Sequence, residues 1–516
     1  MIYRSLTGGM NMTTPNRLYF GDCLDVMRED MLDESVDLIY LDPPFNSKRL
    51  YNAFIGGAQW VAFDDTWRWS EAIDDFHDVA SLPTLARTVE GLRMMLGEGA
   101  NLAYLSYMAN RLVECHRVLK PTGSIYLHCD PTMSHYLKAV MDGIFERRNF
   151  RNEIVWKRST SVKGNFGQGS QFYAPNTDTV FYYTKTDQRT FNQQFTSYSQ
   201  DRIDKSYNKI EPETGRRFQL VSMTGPGGAA KGNPQYEVMG VTRYWRYSKE
   251  RMQDLIDQGL VIQTKPGNVP RRKYYLDEGR GVAIQSLWDD IPNIQAGESE
   301  NTNYPTQKPL ALLERILQSS SNEGDVVFDP FCGCGTTIEA AQKLGRRWIG
   351  IDICVNACKV IERRMRSHFD SLWDDIEFVG MPQTIDDAKY LAEYDKFKFE
   401  RWAASLVDGM EANTRQRGDK GIDGWGRLPI RKGQFVDIVS QVKGGHTNPG
   451  HVQAFNGARQ QAGADLGIFT CFDERVTQGM KDTAASAGRF MKSPIVQIYT
   501  VEDYFAGRIP NLPVAA

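Results

Sequence analysis

The tetrapeptide Asp42-Pro43-Pro44-Phe45 places a carboxylate, two rigid carbonyl groups and an aromatic ring next to one another. It follows an apolar run, residues 36–41, that predicts a buried strand. Two prolines cannot continue a strand or open a regular helix, so the backbone after Asp42 must be extended and stiff. An exocyclic amine on a flat base needs acceptors for its N–H groups and a ring for stacking. These residues therefore predict an amine-binding site at the carboxyl end of a strand, where open α/β sheets bind ligands.

A second motif, residues 325–337, joins a short apolar strand to a glycine turn and a predicted helix. Glycines permit a tight turn and the close approach of a nucleotide. The next apolar strand ends at Asp352, about 20 residues after Asp329. A carboxylate at that position is suited to binding ribose hydroxyls. Position 338 is Ile, so the third glycine of the dinucleotide fingerprint is absent, which argues against a dehydrogenase. The candidate cofactor-binding residues of this region are Asp329, Phe331, Gly333, Gly335, Thr336 and Asp352.

These motifs resemble those of the β-class, circularly permuted DNA amino-methyltransferases. The Asp-Pro-Pro-Phe form resembles the adenine-N6 enzymes, whereas cytosine-N4 enzymes usually carry Ser in place of Asp42. The glycine turn resembles the S-adenosyl-L-methionine (AdoMet) loop, and it follows the catalytic motif, as in permuted members. The resemblance implies that Asp22 faces the cofactor adenine and that Lys308, in a Pro-Thr-Gln-Lys-Pro segment, packs against the methionine end. The family often has His where this chain has Tyr304, which is left unassigned; the resemblance covers about residues 17–370.

The resemblance also implies a fold class and a mechanism. The fold is α/β: an AdoMet-dependent, Rossmann-like, permuted methyltransferase with an inserted target-recognition domain. A flipped adenine would stack on Phe45, while its N6 hydrogens would bond the Asp42 carboxylate and the Pro43 carbonyl. The methyl group would then transfer directly, so neither Cys332 nor Cys334 is expected to be a nucleophile. The catalytic residues implied are Asp42, Pro43, Pro44 and Phe45.

Length, charge and cysteine content limit the possible partners and the cellular location. A chain of 516 residues predicts two or three domains, and its net charge of −3 predicts that any DNA site is a local basic surface. Double-stranded DNA is the expected partner, with a second copy of the chain as a further candidate. We expect no membrane span, no signal peptide and a reducing cytoplasm, because eight cysteines show no disulfide spacing. Zinc is not predicted, because Cys332 and Cys334 lie inside the glycine turn, where small side chains are needed.

The predicted organisation alternates core segments with connecting ones. A turn is predicted over residues 119–124, and a loop over the site is predicted from Asn46 to about Thr84, with a plain surface loop as the alternative. The predicted domains are a disordered N-terminus (1–16), a methyltransferase catalytic half (17–150), a target-recognition insert with core strands (151–300), an AdoMet-binding half (301–378), a linker (379–395) and a restriction-endonuclease-like domain (396–516).

The insert alternates cations with aromatic rings. Lys and Arg bind phosphates, Arg reads guanine edges, and aromatic rings stack on displaced bases. In the permuted family this insert is the target-recognition domain, whereas the alternative for each cluster is a solvated basic face. The candidate DNA-binding residues are Arg216, Arg217, Arg243, Arg246, Arg271 and Arg272.

The last 120 residues or so carry a different pattern. Gly-Ile-Asp-Gly, followed by Gln-Val-Lys on a predicted strand, resembles the Mrr-like branch of the PD-(D/E)xK restriction nucleases. The resemblance implies that Asp423 is a Mg²⁺ ligand, Gln441 the second acceptor, Lys443 the catalytic lysine and Glu400 a helix carboxylate near the metal. Gln441 stands where many such nucleases have Glu or Asp, and a neutral amide is a weaker ligand. The alternative is a small α/β domain without a functional active site.

We therefore interpret the sequence as a DNA adenine-N6 methyltransferase with a C-terminal nuclease-like domain in one restriction-modification chain. Three other classes stay open. They are a modification-only enzyme whose tail binds DNA or a partner, a cytosine-N4 or RNA amine methyltransferase, and a catalytically dead DNA-binding protein.

Overall fold

The computed structural model describes most of the chain. The described residues are 16–46, 50–55, 58–159, 171, 173, 175–295, 297–369, 376–407, 410–413, 421–431 and 434–513. The chain forms two compact units, residues 193–285 and the remainder. The predicted disordered segment 1–16 lies outside the described residues, except for Asn16, which begins the first strand.

The first unit opens with strands and helices that alternate. The strands are β1 (Asn16–Phe20), β2 (Val36–Leu41), β3 (Leu50–Ile55), β4 (Ala58–Asp64), β5 (Leu119–Cys129), β6 (Phe150–Lys157) and β7 (Thr177–Thr184). The helices are α1 (Cys23–Asp30), α2 (Ile73–Ala80), α3 (Ala86–Leu96), α4 (Ala100–Val118) and α5 (Ser134–Phe145), with 3-10 turns at Trp69–Glu71 and Arg147–Asn149. Every residue of β2 except Asp37 is buried, as expected of an apolar strand inside a parallel sheet.

The second unit, residues 193–285, has its own small core around the buried Trp245. Its elements are β8 (Phe195–Thr196), α6 (Gln200–Ser206), β9 (Lys209–Ile210), β10 (Arg217–Ser222), β11 (Gln235–Val238), β12 (Val241–Tyr244), α7 (Lys249–Asp257), β13 (Val261–Ile262), β14 (Arg271–Tyr275) and β15 (Val282–Ala283), with 3-10 turns at Gly228–Lys231 and Leu276–Glu278. Strands β13, β14, β10 and β9 form an antiparallel sheet.

The chain then returns to the large sheet of the first unit. The returning elements are β16 (Leu287–Trp288), α8 (Leu310–Ser320), β17 (Val326–Asp329), α9 (Thr336–Lys343), β18 (Arg347–Asp352), α10 (Val355–His368) and β19 (Ile376–Val379). The described sheet has nine strands in the order β16-β6-β7-β5-β2-β17-β18-β1-β19. Strand β17 pairs in parallel with both β2 and β18. The late segment therefore lies beside the early one, which is the permuted order that the sequence predicts.

The C-terminal part has a separate apolar core that includes Val439, Phe455 and Phe469. Its elements are α11 (Ile385–Tyr394), α12 (Lys396–Ala404), β20 (Met410–Ala412), β21 (Gly424–Arg431), β22 (Gln434–Lys443), α13 (Pro449–Gln461), β23 (Leu466–Cys471), α14 (Gln478–Ser486), β24 (Arg489–Phe490), β25 (Ser493–Pro494), β26 (Val496–Thr500) and α15 (Val501–Phe505), with a 3-10 turn at Asp473–Arg475. Five of the strands form one sheet, β20-β21-β22-β23-β26, whose last three strands run parallel. Across the described residues, no helix is long and apolar enough to cross a membrane.

Three predictions about irregular segments need correction. The predicted loop over residues 46–84 contains the β3–β4 hairpin and α2. The predicted turn at residues 119–124 is the first half of β5, because Leu119 pairs with Val36 around a register shift. The predicted linker, residues 379–395, contains α11, whose capping box at Thr384 fixes its start.

Candidate active site

The carboxyl ends of neighbouring parallel strands bring the two predicted motifs together. Leu38 pairs with Val327 in the β2–β17 register, so the segment after β2 and the turn after β17 meet at the same sheet edge. Between them lies a cavity whose wall includes Asp42, Phe45 and Asp352. Residues from both motifs therefore line one site, as the sequence predicts.

The backbone turns sharply after the tetrapeptide. Asn46 has a φ of +59°, and its N–H donates to Asp65 Oδ1 at 2.8 Å. The same oxygen accepts from Trp67 Nε1 at 3.0 Å, and Asp65 is completely buried. Asp65, which lies in the segment predicted to be a loop over the site, therefore anchors the turn that follows Phe45.

The two oxygens of Asp42 have different surroundings. Oδ2 accepts a hydrogen bond from Lys308 Nζ at 2.5 Å, and Lys308 is itself 7% exposed. Oδ1 is buried and has no hydrogen-bond partner among the residues that the structure describes. Lys308 also donates to the Thr306 carbonyl at 3.2 Å and lies 5.2 Å from the centre of the Phe45 ring. Lys308 is predicted to pack against the methionine end of AdoMet, and the structure shows its ammonium group bonded to Asp42, the predicted catalytic carboxylate.

Glycine is required at two positions of the turn after β17. Gly333 has a φ of +51° and Gly335 a φ of +78°, a region that favours glycine. A Cβ on Gly335 would lie 2.8 Å from Ile361 Cγ1, and one on Gly333 would lie 3.3 Å from the Tyr304 ring. Tyr304, unassigned from the sequence, therefore packs directly over the turn.

The third glycine of the fingerprint is absent from α9, and a glycine on the neighbouring strand β18 allows the close packing instead. A Cβ on Gly350 in β18 would lie 2.5 Å from Ile338 Cδ1 in α9. The close packing that the fingerprint obtains with a glycine on the helix is obtained here with a glycine on the strand. The large Ile338 and the small Gly350 therefore compensate each other.

Asp329 and Asp352 are carboxylates held by backbone amides. Asp329 Oδ1 accepts from the Phe331 N–H at 3.0 Å, and Asp352 accepts from Gly333 and Cys354 N–H groups at 2.8 Å each. Burial raises the pKa of both carboxyl groups, in each case to about 7. The cavity edge can therefore exchange protons near neutral pH.

The glycine turn is held from behind by an arginine that the sequence analysis missed. Arg364 Nη1 donates to Thr336 Oγ1 at 3.1 Å and to the Cys334 carbonyl at 3.3 Å. The guanidinium also forms a buried ion pair with Glu339. The Thr336 hydroxyl, predicted to serve the cofactor, therefore accepts from Arg364.

The Asp22 carboxylate accepts hydrogen bonds from both a backbone amide and an arginine. It caps α1 by accepting from the Leu24 N–H at 2.8 Å. It also accepts from Arg111 Nη2 at 2.8 and 2.7 Å. The Arg111 guanidinium lies 3.3 Å from the centre of the Tyr107 ring, which lines the cavity with Asp22. Neither Arg111 nor Tyr107 carries a local motif, so the sequence analysis missed both.

The six arginines predicted to bind DNA fall into two classes. Arg216 pairs with Asp277 at 2.7 Å, and Arg217 pairs with Asp204 at 2.9 Å, so acidic neighbours already bind both cations. The other four form no ion pair with a described residue. These four are Arg243, Arg246, Arg271 and Arg272.

The predicted nuclease residues lie around strand β22. Asp423 Oδ2 accepts from the Val442 N–H at 2.7 Å, and Gln441 Nε2 donates to the Gly421 carbonyl at 2.9 Å. Lys443, also on β22, is half-buried, and Glu400 lies on α12. The described residues contain no group of three or more His, Cys, Asp or Glu side chains that could hold a metal ion.

Comparisons with known proteins agree with this division of the chain. Residues 36–363, more than half of the chain, match the N6/N4 family described as DNA methylase. Residues 397–505 match a family described as NACHT-associated inactive restriction endonuclease 1.

Several curated proteins resemble the methylase region. The type II methyltransferase M.EcaI of Enterobacter cloacae is 32% identical over 51% of this chain and 57% of its own length. The Mod subunit of the type III restriction-modification enzyme StyLTI of Salmonella typhimurium is 28% identical over 65% and 51%. The DNA adenine methyltransferase YhdJ of Escherichia coli is 26% identical over 68% and 83%. The chain spans between half and three fifths of the first two relatives.

The raised pKa of Asp329 predicts a pH-dependent effect of Asp329→Asn in the ligand-free protein. The folded-state pKa of about 7 lies above the ordinary 3.8, so the buried carboxylate lowers stability. This cost is absent below pH 4, grows as the pH rises, and is complete above pH 7. The amide keeps the bond from the Phe331 N–H and cannot ionise. We expect its benefit to the free energy of unfolding to be about 2.5 kcal/mol larger at pH 8 than at pH 5.

Denaturant unfolding at the two pH values measures this difference. Asp289→Asn, at an exposed aspartate, is the matched control and should show no such change. Equal effects of Asp329→Asn at both pH values would contradict the raised pKa.

Proposed function

The chain belongs to the N6/N4 DNA methylase family, and we propose that it transfers a methyl group from AdoMet to the N6 amine of adenine in double-stranded DNA. The observation that carries the proposal is the orientation of Asp42. Lys308 occupies one carboxylate oxygen, and the other is buried at the cavity without a hydrogen-bond partner among the described residues. A buried acceptor without a donor is costly, and an amine N–H would satisfy it.

The proposed reaction relies on positioning of the base. The adenine leaves the duplex and stacks on Phe45, its N6 donates one hydrogen to Asp42 Oδ1, and the Pro43 carbonyl accepts the other. AdoMet, when bound, supplies an electrophilic methyl group on a sulfonium. Asp42 would accept the N6 proton that the incoming methyl group displaces. Burial raises the pKa of Cys332 well above its usual value, which supports a mechanism without a thiolate nucleophile.

The cavity offers the groups that AdoMet requires. The Gly333 turn permits close backbone approach, Phe331 lies on the wall, and Asp352 lies at the end of the next strand. Each Asp352 oxygen already accepts one backbone N–H and keeps a lone pair for a ribose hydroxyl. We propose that these residues, with Asp22 and Asp329, hold the cofactor.

Adenine is the proposed base because Asp42 heads the motif. A cytosine-N4 or RNA amine substrate is the alternative, and analysis of the product nucleoside separates the three. A catalytically dead DNA-binding protein would fail to bind AdoMet. The relative that is named as a subunit of a type III restriction-modification enzyme supports a role in such a system.

We propose that residues 193–285 form the target-recognition domain. Arg243 and Arg246 are exposed and bear no carboxylate partner among the described residues, so their charge is available to phosphates. Arg271 is also exposed, and Arg272 keeps a loose contact with the Tyr247 hydroxyl at 3.4 Å. Arg216 and Arg217 are removed from this proposal, because their ion pairs compete with phosphate binding.

For the C-terminal domain we propose a restriction-endonuclease-like fold that does not cleave DNA. The second acceptor position holds the neutral Gln441, whose amide donates to the Gly421 carbonyl, and within the described residues no group of three or more His, Cys, Asp or Glu side chains could hold a metal ion. This donor set does not fit the Mg²⁺ site that the Mrr-like resemblance implies. The matched family is described as inactive, which supports the same conclusion. The Mrr-like assignment itself stays a prediction.

Two predictions concern the cellular location and the oligomeric state of the protein. We propose a cytoplasmic location, because all eight cysteines are free thiols, as a reducing compartment would keep them. A homodimer stays a prediction.

The roles of Asp42 and Lys308 predict different effects of substitution. Asp42→Ala should slow methylation by at least about a hundredfold, while AdoMet affinity stays close to that of the wild type. Lys308→Met, which removes the charge that orients Asp42, should slow methylation about tenfold or more with little change in AdoMet affinity. Single-turnover kinetics and calorimetry measure the two quantities. If Lys308→Met weakens AdoMet binding as much as it slows methylation, Lys308 belongs to the cofactor site.

The two arginine classes predict different salt dependences of DNA binding. Arg243→Ala combined with Arg246→Ala should lower affinity and reduce the slope of log K against log salt by about 1 to 2, because each phosphate contact contributes about 0.9. The matched control, Arg216→Ala with Arg217→Ala, removes the same charge from ion-paired positions and should leave the slope nearly unchanged. An equal effect of both pairs would contradict the proposed division.

The C-terminal proposal predicts no cleavage of methylated or unmethylated plasmid at any magnesium concentration. The decisive comparison includes Asp42→Ala, Asp423→Ala and Lys443→Ala purified in parallel. Cleavage that survives Asp42→Ala and is lost in both other variants would contradict the proposal and restore the nuclease interpretation. Cleavage retained in all three variants would indicate a contaminating nuclease.

A further inference from the structure

Phe45 stacks on a buried histidine. The ring centres of Phe45 and His128 lie 6.1 Å apart with an angle of 25° between the planes, and His128 is completely buried. His128 lies on β5, the strand that pairs with β2 on the side opposite β17. A buried ring on a neighbouring strand therefore supports Phe45, which itself lines the cavity.

The histidine is held at both ring nitrogens. Nδ1 lies 2.9 Å from the Tyr40 hydroxyl, and Nε2 lies 3.1 Å from Asp178 Oδ2. The other oxygen of Asp178 lies 3.2 Å from Arg158 Nε in an ion pair. Tyr40 lies on β2, two residues before Asp42, and also lines the cavity. The group therefore connects the wall of the cavity to the ring of Phe45.

The environment determines which atom carries each proton. Burial raises the pKa of Tyr40 well above its usual value, so its hydroxyl keeps its proton and donates to Nδ1. Burial also raises the pKa of Asp178, but the hydrogen bond and electrostatic attraction of His128, together with the charges of Lys308 and Arg158, outweigh it, so the net pKa is lowered. Asp178 is then the acceptor and Nε2 the donor of their hydrogen bond, while Nδ1 accepts from Tyr40. A rotation of this ring would break both hydrogen bonds.

We propose that Tyr40, His128 and Asp178 form a positioning unit that fixes the Phe45 ring as the stacking platform for the flipped base. The proposal rests on the proposed function. Phe45 follows two prolines and precedes a left-handed residue, so no regular hydrogen-bonded element restrains its ring. The restraint comes instead from stacking on a histidine that has one allowed orientation. His128 touches neither the base nor the cofactor and acts through Phe45.

A double-mutant cycle between His128 and Phe45 tests this role. The substitutions are His128→Asn and Phe45→Ala, alone and together, in the full chain. The measurements are single-turnover methylation at the mapped target site, AdoMet affinity and thermal unfolding. His128→Asn should slow methylation about tenfold when Phe45 is present and less than about twofold in the Phe45→Ala background, because coupled residues are not additive. AdoMet affinity should not change in any variant.

Two further variants keep the test decisive. Asp178→Asn replaces His128→Asn in the cycle if the latter does not fold, and should show the same dependence on Phe45. His116→Asn is the matched control: His116 also packs on a phenylalanine, Phe145, at 5.0 Å, but does not line the cavity, and its substitution should not slow methylation.

The outcomes separate the inference from the proposed function. An equal fold-loss from His128→Asn in both backgrounds would show a general structural role and overturn the inference. A Phe45→Ala variant as fast as the wild type would also overturn it. A wild-type chain that methylates no DNA would instead overturn the proposed function.

Discussion

The parallel pairing of β2 with β17 is the constraint on which the site depends. The Val326 N–H also donates to Asp37 Oδ2 across 289 residues of sequence, at 2.9 Å, which locks the start of this pairing. Without it, the tetrapeptide after β2 and the glycine turn after β17 would not share a sheet edge. The entropic cost of closing a long loop grows only slowly with its length, so a whole domain can be inserted between the two strands. The permuted order of motifs is therefore compatible with a stable core.

Several carboxylates lie at the same sheet edge, and each has different partners that stabilise its charge. Asp22 is paired with Arg111, Asp42 with Lys308, and Asp352 with two backbone amides. Uncompensated buried charge is expensive, which explains why burial raises the pKa of Asp329 and Asp352 to about 7. A cationic ligand would relieve part of this repulsion. The charge of the edge and the charge of the proposed cofactor are thus complementary.

Local sequence patterns predicted the strands and turns of the site but not the distant residues that contact its side chains. The apolar run before Asp42 and the glycines after β17 are local signals, and the structure places both as expected. The hydrogen bond from Lys308 to Asp42 joins residues 266 positions apart, and no local pattern predicts such a contact. His128 and Arg364 also act through contacts with residues on other segments of the chain. The compensation of Ile338 by Gly350 required the packing of a helix on a strand, and the ion pairs that engage Arg216 and Arg217 required the fold of the insert.

The central claim is that Asp42 Oδ1 accepts a hydrogen bond from the N6 amine of adenine, and the identity of the modified base tests it most directly. Genomic DNA from a host that expresses the chain can be mapped for modified bases and compared with DNA from the same host without it. The account predicts N6-methyladenine at one recurring sequence. N4-methylcytosine at that sequence, or no new modification in a host in which the chain is folded and binds AdoMet, would contradict it.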